Sequence, residues 1–404
     1  MERVSVAQVR AAAQALRGVA RYTPMESSRP LQEAVGGPVH LKCENLQRTG
    51  SFKIRGAYLR ISRLSDQEKA AGVVAASAGN HAQGVALAAS LVGTSATVFM
   101  PIGASIAKLT ATRAYGAQVQ LVGQTLDESL EAALEFAART GAVLVHPFDH
   151  LDVLLGQGTV GLEIAEQVPD LATVVVATGG GGLISGVAAV LKELKPGVRI
   201  VGVQAEQAAA WPDSLAAGRP VRLREMSTLA DGIAVGEPSA LTFAHVSDLV
   251  DDIVTVSEDQ LSRAMLLCLE RAKLVVEAAG VAAVAAVMTK PGAFTPPVVA
   301  VLSGGNIDPL LLQRVVAHGL AASGRYMTLR IPLPDRPGQL ARVSDLLAQA
   351  GANVTEVLHT RHGQGLQISE VILQLSVETR GEEHRAHVIA MLEEAGFEPT
   401  VVAD

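Results

Sequence analysis

Cysteines and aromatic residues are scarce in this sequence of 404 residues. The two cysteines, Cys43 and Cys268, lie far apart and give neither a disulfide framework nor a Cys-rich metal site. Aromatic residues make up 3% of the chain, whereas apolar residues as a whole make up 49%. We therefore expect a globular protein with a core of Ala, Val and Leu, long enough for two or three domains.

A basic surface and a membrane-spanning segment are also missing. The chain has 33 Lys and Arg against 40 Asp and Glu, a formal net charge of -7, which argues against nucleic acid and anionic membranes as partners. The uncharged stretch 173–191 is about long enough to cross a bilayer, but its four consecutive glycines would expose backbone to lipid. The start of the chain predicts an amphipathic helix without a secretory apolar core, so we expect the protein in the cytoplasm.

Short β-branched runs alternate with Ala-rich helical stretches through much of the chain. GVVAASAGN predicts a strand that ends in a turn, and HAQGVALAASLVG after it predicts a helix. The same succession recurs in ATVFMP with SIAKLTATRAYGA and in TVVVATGGGGLISGVAAVLKEL. This β-α-β rhythm predicts an α/β fold with parallel sheets and helices on both faces.

The pattern changes near residues 321–324, where the small, polar AASG is typical of a linker. Beyond it, YMTLRIPL predicts a strand and DRPGQLARVSDLLAQAG predicts a helix with Pro337 near its start. ANVTEVLHTR and LQISEVILQLSVET (residues 366–379) predict two more strands, EEHRAHVIAMLEEAG a helix and FEPTVV a last strand. The order β-α-β-β-α-β predicts a ferredoxin-like domain.

Four short motifs carry residues suited to cofactor chemistry. SFKIRGA places Lys53 among apolar neighbours, where burial lowers the pKa of an amine and favours its neutral form. SAGNHAQG (77–84) and TGGGGLISG (178–186) each join a strand to a helix, and the first backbone N–H groups of a helix bind anions. The glycine run leaves those groups open to a phosphate, and LSGGN (302–306) follows another apolar strand.

Each motif taken alone has a simpler explanation. Taken alone, Lys53 is more often a lysine whose amine reaches water, His81 a helix-start residue and Ser303 a turn residue. The glycine run alone is as often a tight turn as a phosphate site. The glycine run lacks the Lys-Ser/Thr ending of a nucleotide loop and the spaced glycines of a dinucleotide site. Together, however, an amine, a phosphate cradle and a carboxylate-binding turn are what pyridoxal 5'-phosphate and an amino acid require.

The order and spacing of these motifs resemble those of the pyridoxal-phosphate β-family (fold type II), and within it the threonine dehydratases and serine racemases. The resemblance covers about residues 1–320 and implies a catalytic domain of two parallel-sheet α/β subdomains, the smaller inserted at about residues 72–148. The tail, with DRPGQLARV, resembles an ACT domain at residues 325–404, a regulatory module that binds amino acids.

The resemblance also implies roles for individual residues. Lys53 would be bonded to the cofactor and would then remove the substrate α-proton, and Phe52 would pack against the cofactor ring. Asn80 would hydrogen-bond the 3'-oxygen of the cofactor, and Ser303 would face the pyridine nitrogen. The phosphate would be held by the backbone of Gly179, Gly180, Gly181, Gly182 and Leu183. The substrate carboxylate would be held by the turn of Ser77, Ala78, Gly79, Asn80 and His81.

Ser303, which follows the family's pattern, and Ala78, which departs from that of the racemases, both favour elimination over racemisation. Ser303 cannot protonate the pyridine nitrogen as an aspartate would, which weakens the ring as an electron sink and favours loss of a β-hydroxyl group. Serine racemases have a serine base where this chain has Ala78. They also hold a divalent metal in the segment after IVGVQAE, but Gln204, Ala208 and Ala210 stand at those positions, so we expect no metal site.

The function implied by the resemblance is that of a threonine ammonia-lyase, which converts L-threonine to 2-oxobutanoate and ammonia in isoleucine biosynthesis. The ACT domain would bind an amino-acid effector, with isoleucine as inhibitor and valine as opposing ligand, in a homodimer or homotetramer. A serine dehydratase or serine racemase, acting on L-serine, is the alternative among enzymes. A catalytically silent amino-acid sensor is the alternative of another class.

Overall fold

The computed structural model describes residues 3–361 and 369–402, and the chain forms two compact units, Met1–Pro309 and Leu310–Asp404. The helices of the first unit are α1 Val6–Ala15, α2 Arg29–Val35, α3 Lys53–Ser62, α4 Asp66–Ala71, α5 Asn80–Val92, α6 Ile106–Ala114, α7 Leu126–Thr140, α8 Leu151–Gln167, α9 Gly182–Leu194, α10 Ala210–Ala217, α11 Ala240–Leu249, α12 Glu258–Leu267 and α13 Ala278–Thr289. Its strands are β1 Met25–Ser27, β2 Val39–Cys43, β3 Val73–Ala76, β4 Ala96–Met100, β5 Gln118–Leu121, β6 Val143–Leu144, β7 Thr173–Ala177, β8 Arg199–Ala205, β9 Asp252–Val256 and β10 Val298–Leu302.

Six strands form the larger sheet of the first unit, in the order β1-β2-β10-β7-β8-β9. All neighbours run parallel except the edge pair of β1 and β2. Every residue of β7 and β10 is buried, because α9 and α13 pack against this part of the sheet. Continuous Val-rich strands are expected where a parallel sheet is covered on both faces.

Four parallel strands form the smaller sheet, in the order β5-β4-β3-β6. Its helix α7 starts with a capping box between Thr125 and Glu128 and ends at Gly141, whose φ of 76° suits a glycine C-cap. The sheet spans residues 73–144, within the range 72–148 predicted for the inserted subdomain. The two parallel sheets confirm the predicted α/β class.

Three of the four motifs follow the carboxyl ends of parallel strands. Ser77 comes directly after β3, the glycine loop after β7 and Ser303 after β10. Lys53, from the remaining motif, is the first residue of α3. Loops at the carboxyl ends of parallel strands form the usual ligand crevice of an α/β sheet, so the fold gathers the motifs at one crevice.

The second unit contains an antiparallel sheet in the order β12-β13-β11-β14. Helix α14 (Pro309–Ala322) begins at the division between the units. The remaining elements are β11 Tyr326–Pro334, α15 Gln339–Gln349, β12 Asn353–Thr360, β13 Glu370–Glu378, α16 Glu382–Glu394 and β14 Thr400–Val402. Leu329 and Leu373 of the sheet pack with Val343 of α15 and Leu392 of α16 in one buried cluster. The βαββαβ order is the predicted one.

Some element bounds differ from the sequence prediction. Helix α15 starts two residues after Pro337, because Gly338 has a φ of 88° that the helix cannot include. Residues 366–368 of the predicted strand and residues 1–2 of the predicted first helix lie outside the described residues. The uncharged stretch 173–191 divides into β7, the glycine loop and part of α9. Over the described residues, no helix combines the length and apolarity that a membrane span requires.

Candidate active site

A cavity of about 730 Å³ opens in the first unit, between residues of the smaller sheet and residues of the larger one. Every site residue predicted from the sequence lines it: Phe52, Lys53, Ser77, Ala78, Gly79, Asn80, His81, Gly179, Gly180, Gly181, Gly182, Leu183 and Ser303. The structure therefore brings together four motifs that are spread over about 250 residues of sequence. The role of each residue in the reaction stays a prediction.

Lys53 presents its amine to this cavity. Its Nζ donates a hydrogen bond to the carbonyl oxygen of Pro147 at 3.2 Å and lies 5.1 Å from the centre of the Phe52 ring. Burial lowers the pKa of the amine to about 8, and the opposing effect of the Glu277 carboxylate is smaller. The neutral form, which nucleophilic attack on an aldehyde requires, is therefore far more populated near neutral pH than it is in a free lysine.

The start of α3 is tied to the segment that carries Ser303. The backbone N–H of Phe52 donates to the Ser303 carbonyl at 3.2 Å, and Ser51 pairs with Gly304 in an isolated β-bridge. A Cβ on Gly84 would lie 3.2 to 3.3 Å from the backbone of Lys53 and Ile54, so α5 packs closely against this turn. Backbone contacts from two directions thus fix the position of Lys53.

The glycine loop has no room for side chains. A Cβ on Gly180 would lie 2.3 Å from Phe148, and one on Gly181 would lie 2.6 Å from Trp211. Gly181 also has a φ of 93°, which favours glycine on backbone grounds alone. The indole Nε1 of Trp211 donates to the Gly179 carbonyl at 2.7 Å and holds the loop. No side chain caps α9, so its first N–H groups face the cavity as an anion site.

The Ser77 turn leads into α5 and presents another helix start without a side-chain cap. The Ser77 hydroxyl accepts a hydrogen bond from the N–H of Gly79 at 3.1 Å. The Nε2 of the buried His81 ring is engaged within the protein, because it donates a hydrogen bond to the Val145 carbonyl at 2.7 Å. Burial lowers the pKa of His81 to about 3, so the ring is neutral and structural. The backbone N–H groups of this turn and the O–H group of Ser77 remain for a carboxylate.

Asn80 and Ser303 differ in how they are held. The Asn80 amide nitrogen donates to Glu277, and its oxygen accepts from the Asn306 amide at 2.8 Å, which fixes the orientation of the group. The Ser303 backbone N–H donates to the Gly280 carbonyl at 3.1 Å, whereas its hydroxyl makes no hydrogen bond to another described residue. This hydroxyl is thus free to bind a ring nitrogen.

Glu277 is a cavity residue that the sequence analysis missed. Burial and the nearby Asp231 raise the pKa of its carboxyl group to about 7. The available signal was one acidic residue in the otherwise apolar stretch LVVEAAGVAAVAAV (274–287). His146 was missed as well: it follows β6, lines the cavity and has a lowered pKa because of burial.

Two protein-family models match the chain, "Pyridoxal-phosphate dependent enzyme" over residues 16–304 and "ACT domain" over residues 327–395. The chain belongs to the family of pyridoxal-phosphate-dependent enzymes. Its fold type II architecture, its C-terminal ACT domain and its cofactor, pyridoxal 5'-phosphate, are the predicted ones and are confirmed.

Several known proteins are similar over most of their length. A relative from Thermotoga maritima named L-threonine ammonia-lyase is 46% identical over 399 residues, which cover 99% of this chain and 100% of that protein. The processed form of threonine deaminase isoform 2 from Solanum lycopersicum superposes with a TM-score of 0.74 at 36% identity, covering 78% of this chain and 89% of that one. Maize serine racemase superposes with a TM-score of 0.74 at 34% identity, covering 79% of this chain and 99% of that one.

The residues in the cavity fit this cofactor. The glycine loop offers N–H groups for its phosphate, and a Cβ on Gly180, Gly181 or Gly182 would press against Phe148 or Trp211. Lys53 offers an amine with a lowered pKa for its aldehyde. Within residues 3–361 and 369–402, no group of three or more His, Cys, Asp or Glu side chains is arranged to hold a metal ion.

Proposed function

We propose that this chain is an L-threonine ammonia-lyase, which converts L-threonine to 2-oxobutanoate and ammonia by α,β-elimination with pyridoxal 5'-phosphate. The observation that carries the proposal is the buried amine of Lys53, which donates to the Pro147 carbonyl in a cavity that also contains a bare glycine loop. The name and the 46% identity of the Thermotoga maritima relative support this substrate.

The chemistry divides between the cofactor and this chain. When bound, pyridoxal phosphate draws electrons away from the substrate Cα and so acidifies its hydrogen. Lys53 then takes the α-proton on Nζ, while N–H groups at the starts of α9 and α5 hold the phosphate and the substrate carboxylate. Ala78 offers no second base on the opposite face, which favours elimination over racemisation.

Serine is the second substrate to consider. The similarity to maize serine racemase over 79% of the chain supports a serine-directed alternative, either a dehydratase or a racemase. Ala78 argues against the racemase, since a methyl group cannot return a proton to Cα. A catalytically silent sensor is the remaining alternative, and the preserved amine of Lys53 in the cavity argues against it.

The ACT domain is proposed to regulate this reaction. We infer that isoleucine inhibits and valine opposes it, because threonine deamination leads towards isoleucine. The loop Pro334 to Gln339 precedes the uncapped helix α15, whose first N–H groups suit an amino-acid carboxylate. A homodimer or homotetramer in the cytoplasm is proposed as the working form. Coupling of this kind is typically about 1–3 kcal/mol.

A steady-state assay with L-threonine and L-serine tests the activity, with Lys53→Ala as control. We expect 2-oxobutanoate from threonine. We also expect Lys53→Ala to lose the visible absorbance of the bound cofactor and to turn over at least about 10⁴-fold more slowly, because it lacks both nucleophile and base. Formation of D-serine as fast as pyruvate from L-serine would contradict an ammonia-lyase.

The same assay with isoleucine and valine tests the regulation. We expect isoleucine to shift the threonine dependence of the full chain by roughly 5- to 150-fold, and valine to reverse the shift. A chain ended after Ser323 should turn over threonine and ignore both amino acids. A full chain that ignores every amino acid would refute the regulatory proposal and leave the activity untouched.

A further inference from the structure

His146 occupies a special position in the cavity. The N–H of Val145 donates to the Val74 carbonyl at 2.9 Å, which extends the pairing of β6 with β3 up to the neighbour of His146. The carbonyl groups on either side of His146 are both in use: that of Val145 binds the His81 ring, and that of Pro147 binds the amine of Lys53. His146 therefore stands directly beside the proposed base.

The ring of His146 is held in one orientation and one tautomer. Its Nδ1 accepts hydrogen bonds from the N–H groups of Phe148 and Asp149, at 3.3 and 2.8 Å. A nitrogen that accepts from backbone amides carries no proton, so the proton of the neutral ring lies on Nε2. The Phe148 ring packs edge-on against it, with centroids 4.6 Å apart.

The Nε2–H group is a donor without a partner in the described protein. The half-buried His146 lines the cavity, and no hydrogen bond joins its Nε2 to any described residue. Burial lowers the pKa of the ring and outweighs the Asp149 carboxylate, which raises it, and the charge of Lys53 acts with burial, so the ring is neutral at neutral pH. A rigid, neutral N–H donor thus faces the substrate space next to Lys53.

The proposed elimination needs such a donor. As Lys53 takes the α-proton, the C–H electron pair forms the Cα=Cβ double bond, and the Cβ–O pair leaves with the oxygen. That oxygen gains negative charge and departs as water with the proton that Lys53 removed from Cα, so Lys53 returns to its neutral form and the step is balanced. A neutral imidazole N–H stabilises the developing negative charge by donating a hydrogen bond to the oxygen while it keeps its own proton.

Three other polar side chains of the cavity are already engaged. His81 is bonded to Val145, Lys108 forms an ion pair with Asp231, and the Asn80 amide is held by Glu277 and Asn306. We propose that His146 is a catalytic residue whose Nε2–H donates a hydrogen bond to the β-hydroxyl oxygen of the substrate while the Cβ–O bond breaks. This inference rests on the proposed elimination from a β-hydroxy amino acid.

A change of leaving group tests this role. Chloride leaves without a proton, so L-serine and β-chloro-L-alanine share α-proton removal and differ in the need for a donor. For His146→Leu we expect kcat on L-threonine and L-serine to fall about 10²- to 10³-fold. The kcat on β-chloro-L-alanine should change less than about threefold, and His146→Gln, which keeps an N–H donor, should recover part of the loss on serine.

Two controls separate this role from a structural one. His150 is a nearby histidine that does not line the cavity, and its side chain caps the start of α8. His150→Asn preserves this cap and should change kcat neither on serine nor on β-chloro-L-alanine. Nitrogen-15 NMR of the histidine rings in the cofactor-free protein, assigned with His146→Gln, should show His146 as the neutral Nε2–H tautomer at pH 7. A charged ring, or a neutral ring with its proton on Nδ1, would overturn the proposal.

The outcomes also separate this inference from the proposed function. Equal losses on serine and β-chloroalanine, or no loss on either, would overturn the role of His146 while the ammonia-lyase activity of the wild type stands. A wild-type protein that eliminates chloride from β-chloroalanine but acts on neither threonine nor serine would overturn the proposed function, and the donor role with it.

Discussion

Lys53 and Arg55 are two residues apart on α3, yet their surroundings shift the pKa values of the two side chains in opposite directions. The amine of Lys53 meets one carbonyl oxygen, whereas the guanidinium of Arg55 meets the carboxylates of Glu44 and Glu163 at 2.6 to 2.8 Å. Burial lowers the pKa of Lys53 to about 8. Burial also acts against the charge of Arg55, but the two carboxylates outweigh it and raise its pKa.

The partners of Arg55 satisfy its whole guanidinium group. Its Nε and one terminal nitrogen bind Glu44, the other binds Glu163 and the Thr159 hydroxyl, and the Arg21 carbonyl takes the remaining donor. Only 2% of the Arg55 side chain is exposed, and the Glu44 side chain is fully buried. Paired in this way, a buried charge is retained rather than neutralised.

This difference explains how one helix turn serves both stability and chemistry. Residues two apart on a helix point to nearly opposite sides, so α3 turns Arg55 into the interior and Lys53 into the cavity. Lys42 joins the buried cluster through Glu163 at 2.6 Å, which ties β2, α3 and α8 together. A rigid support on one face therefore positions a reactive amine on the other.

Removal of Arg55 should have the largest effect on stability. Arg55→Met leaves Glu44 buried without its cation, so we expect the free energy of unfolding to fall by about 3–5 kcal/mol. Lys53→Met, the matched control on the same helix, removes a buried amine that forms no ion pair with a carboxylate of the described residues, so we expect no fall in the free energy of unfolding at pH 7. Urea denaturation of the cofactor-free proteins measures both. Equal losses in the two variants would show that pairing does not distinguish these cations.

The pH dependence of stability should reveal the lowered pKa of Lys53, with an effect smaller than that of removing Arg55. The pKa of Lys53 is about 8 in the folded protein against 10.5 for a free side chain. Between these values the unfolded chain binds more protons than the folded one, so stability rises with pH. The unfolding free energy of the wild type should therefore rise relative to Lys53→Met by about 2–3 kcal/mol from pH 7 to pH 10.5. A difference that stays flat or falls would mean that the amine titrates normally.

The sequence could predict the placement of Lys53 but not the partners of Arg55. The four motifs placed Lys53, Asn80, Ser303 and the glycine loop at one crevice, because strand-to-helix turns of parallel sheets meet there. The partners of Arg55 were beyond prediction: Glu163 lies 108 residues away, and spacing alone does not tell which carboxylate meets which cation.

The same holds within the cavity itself. Asn80 and Glu277 are 197 residues apart, and their contact depends on α5 and α13 facing one another across the site. The ring of His81 turns to Val145 and not to the cavity, a choice of side-chain direction that the motif SAGNH does not encode. The fold and the backbone-lined parts of the site were therefore predictable, whereas individual side-chain pairings were not.

A third cation, Arg222, should give the smallest effect and separates pairing from burial. It forms an ion pair with Asp127 at 2.7 Å, as short as the Arg55 contact with Glu44, but the two side chains are 68% and 73% exposed. Water and salt screen such a pair, so Arg222→Gln should lower the free energy of unfolding by only about 0.2–1 kcal/mol. Urea denaturation at low salt and at about 0.5 M salt measures this loss. At about 0.5 M salt, charges interact over only a few ångströms. The loss should vanish at high salt, whereas the loss in Arg55→Met should persist, because the buried cluster is shielded from ions. A loss of about 3 kcal/mol in Arg222→Gln would show that partner geometry, rather than removal from water, sets the energy of these ion pairs.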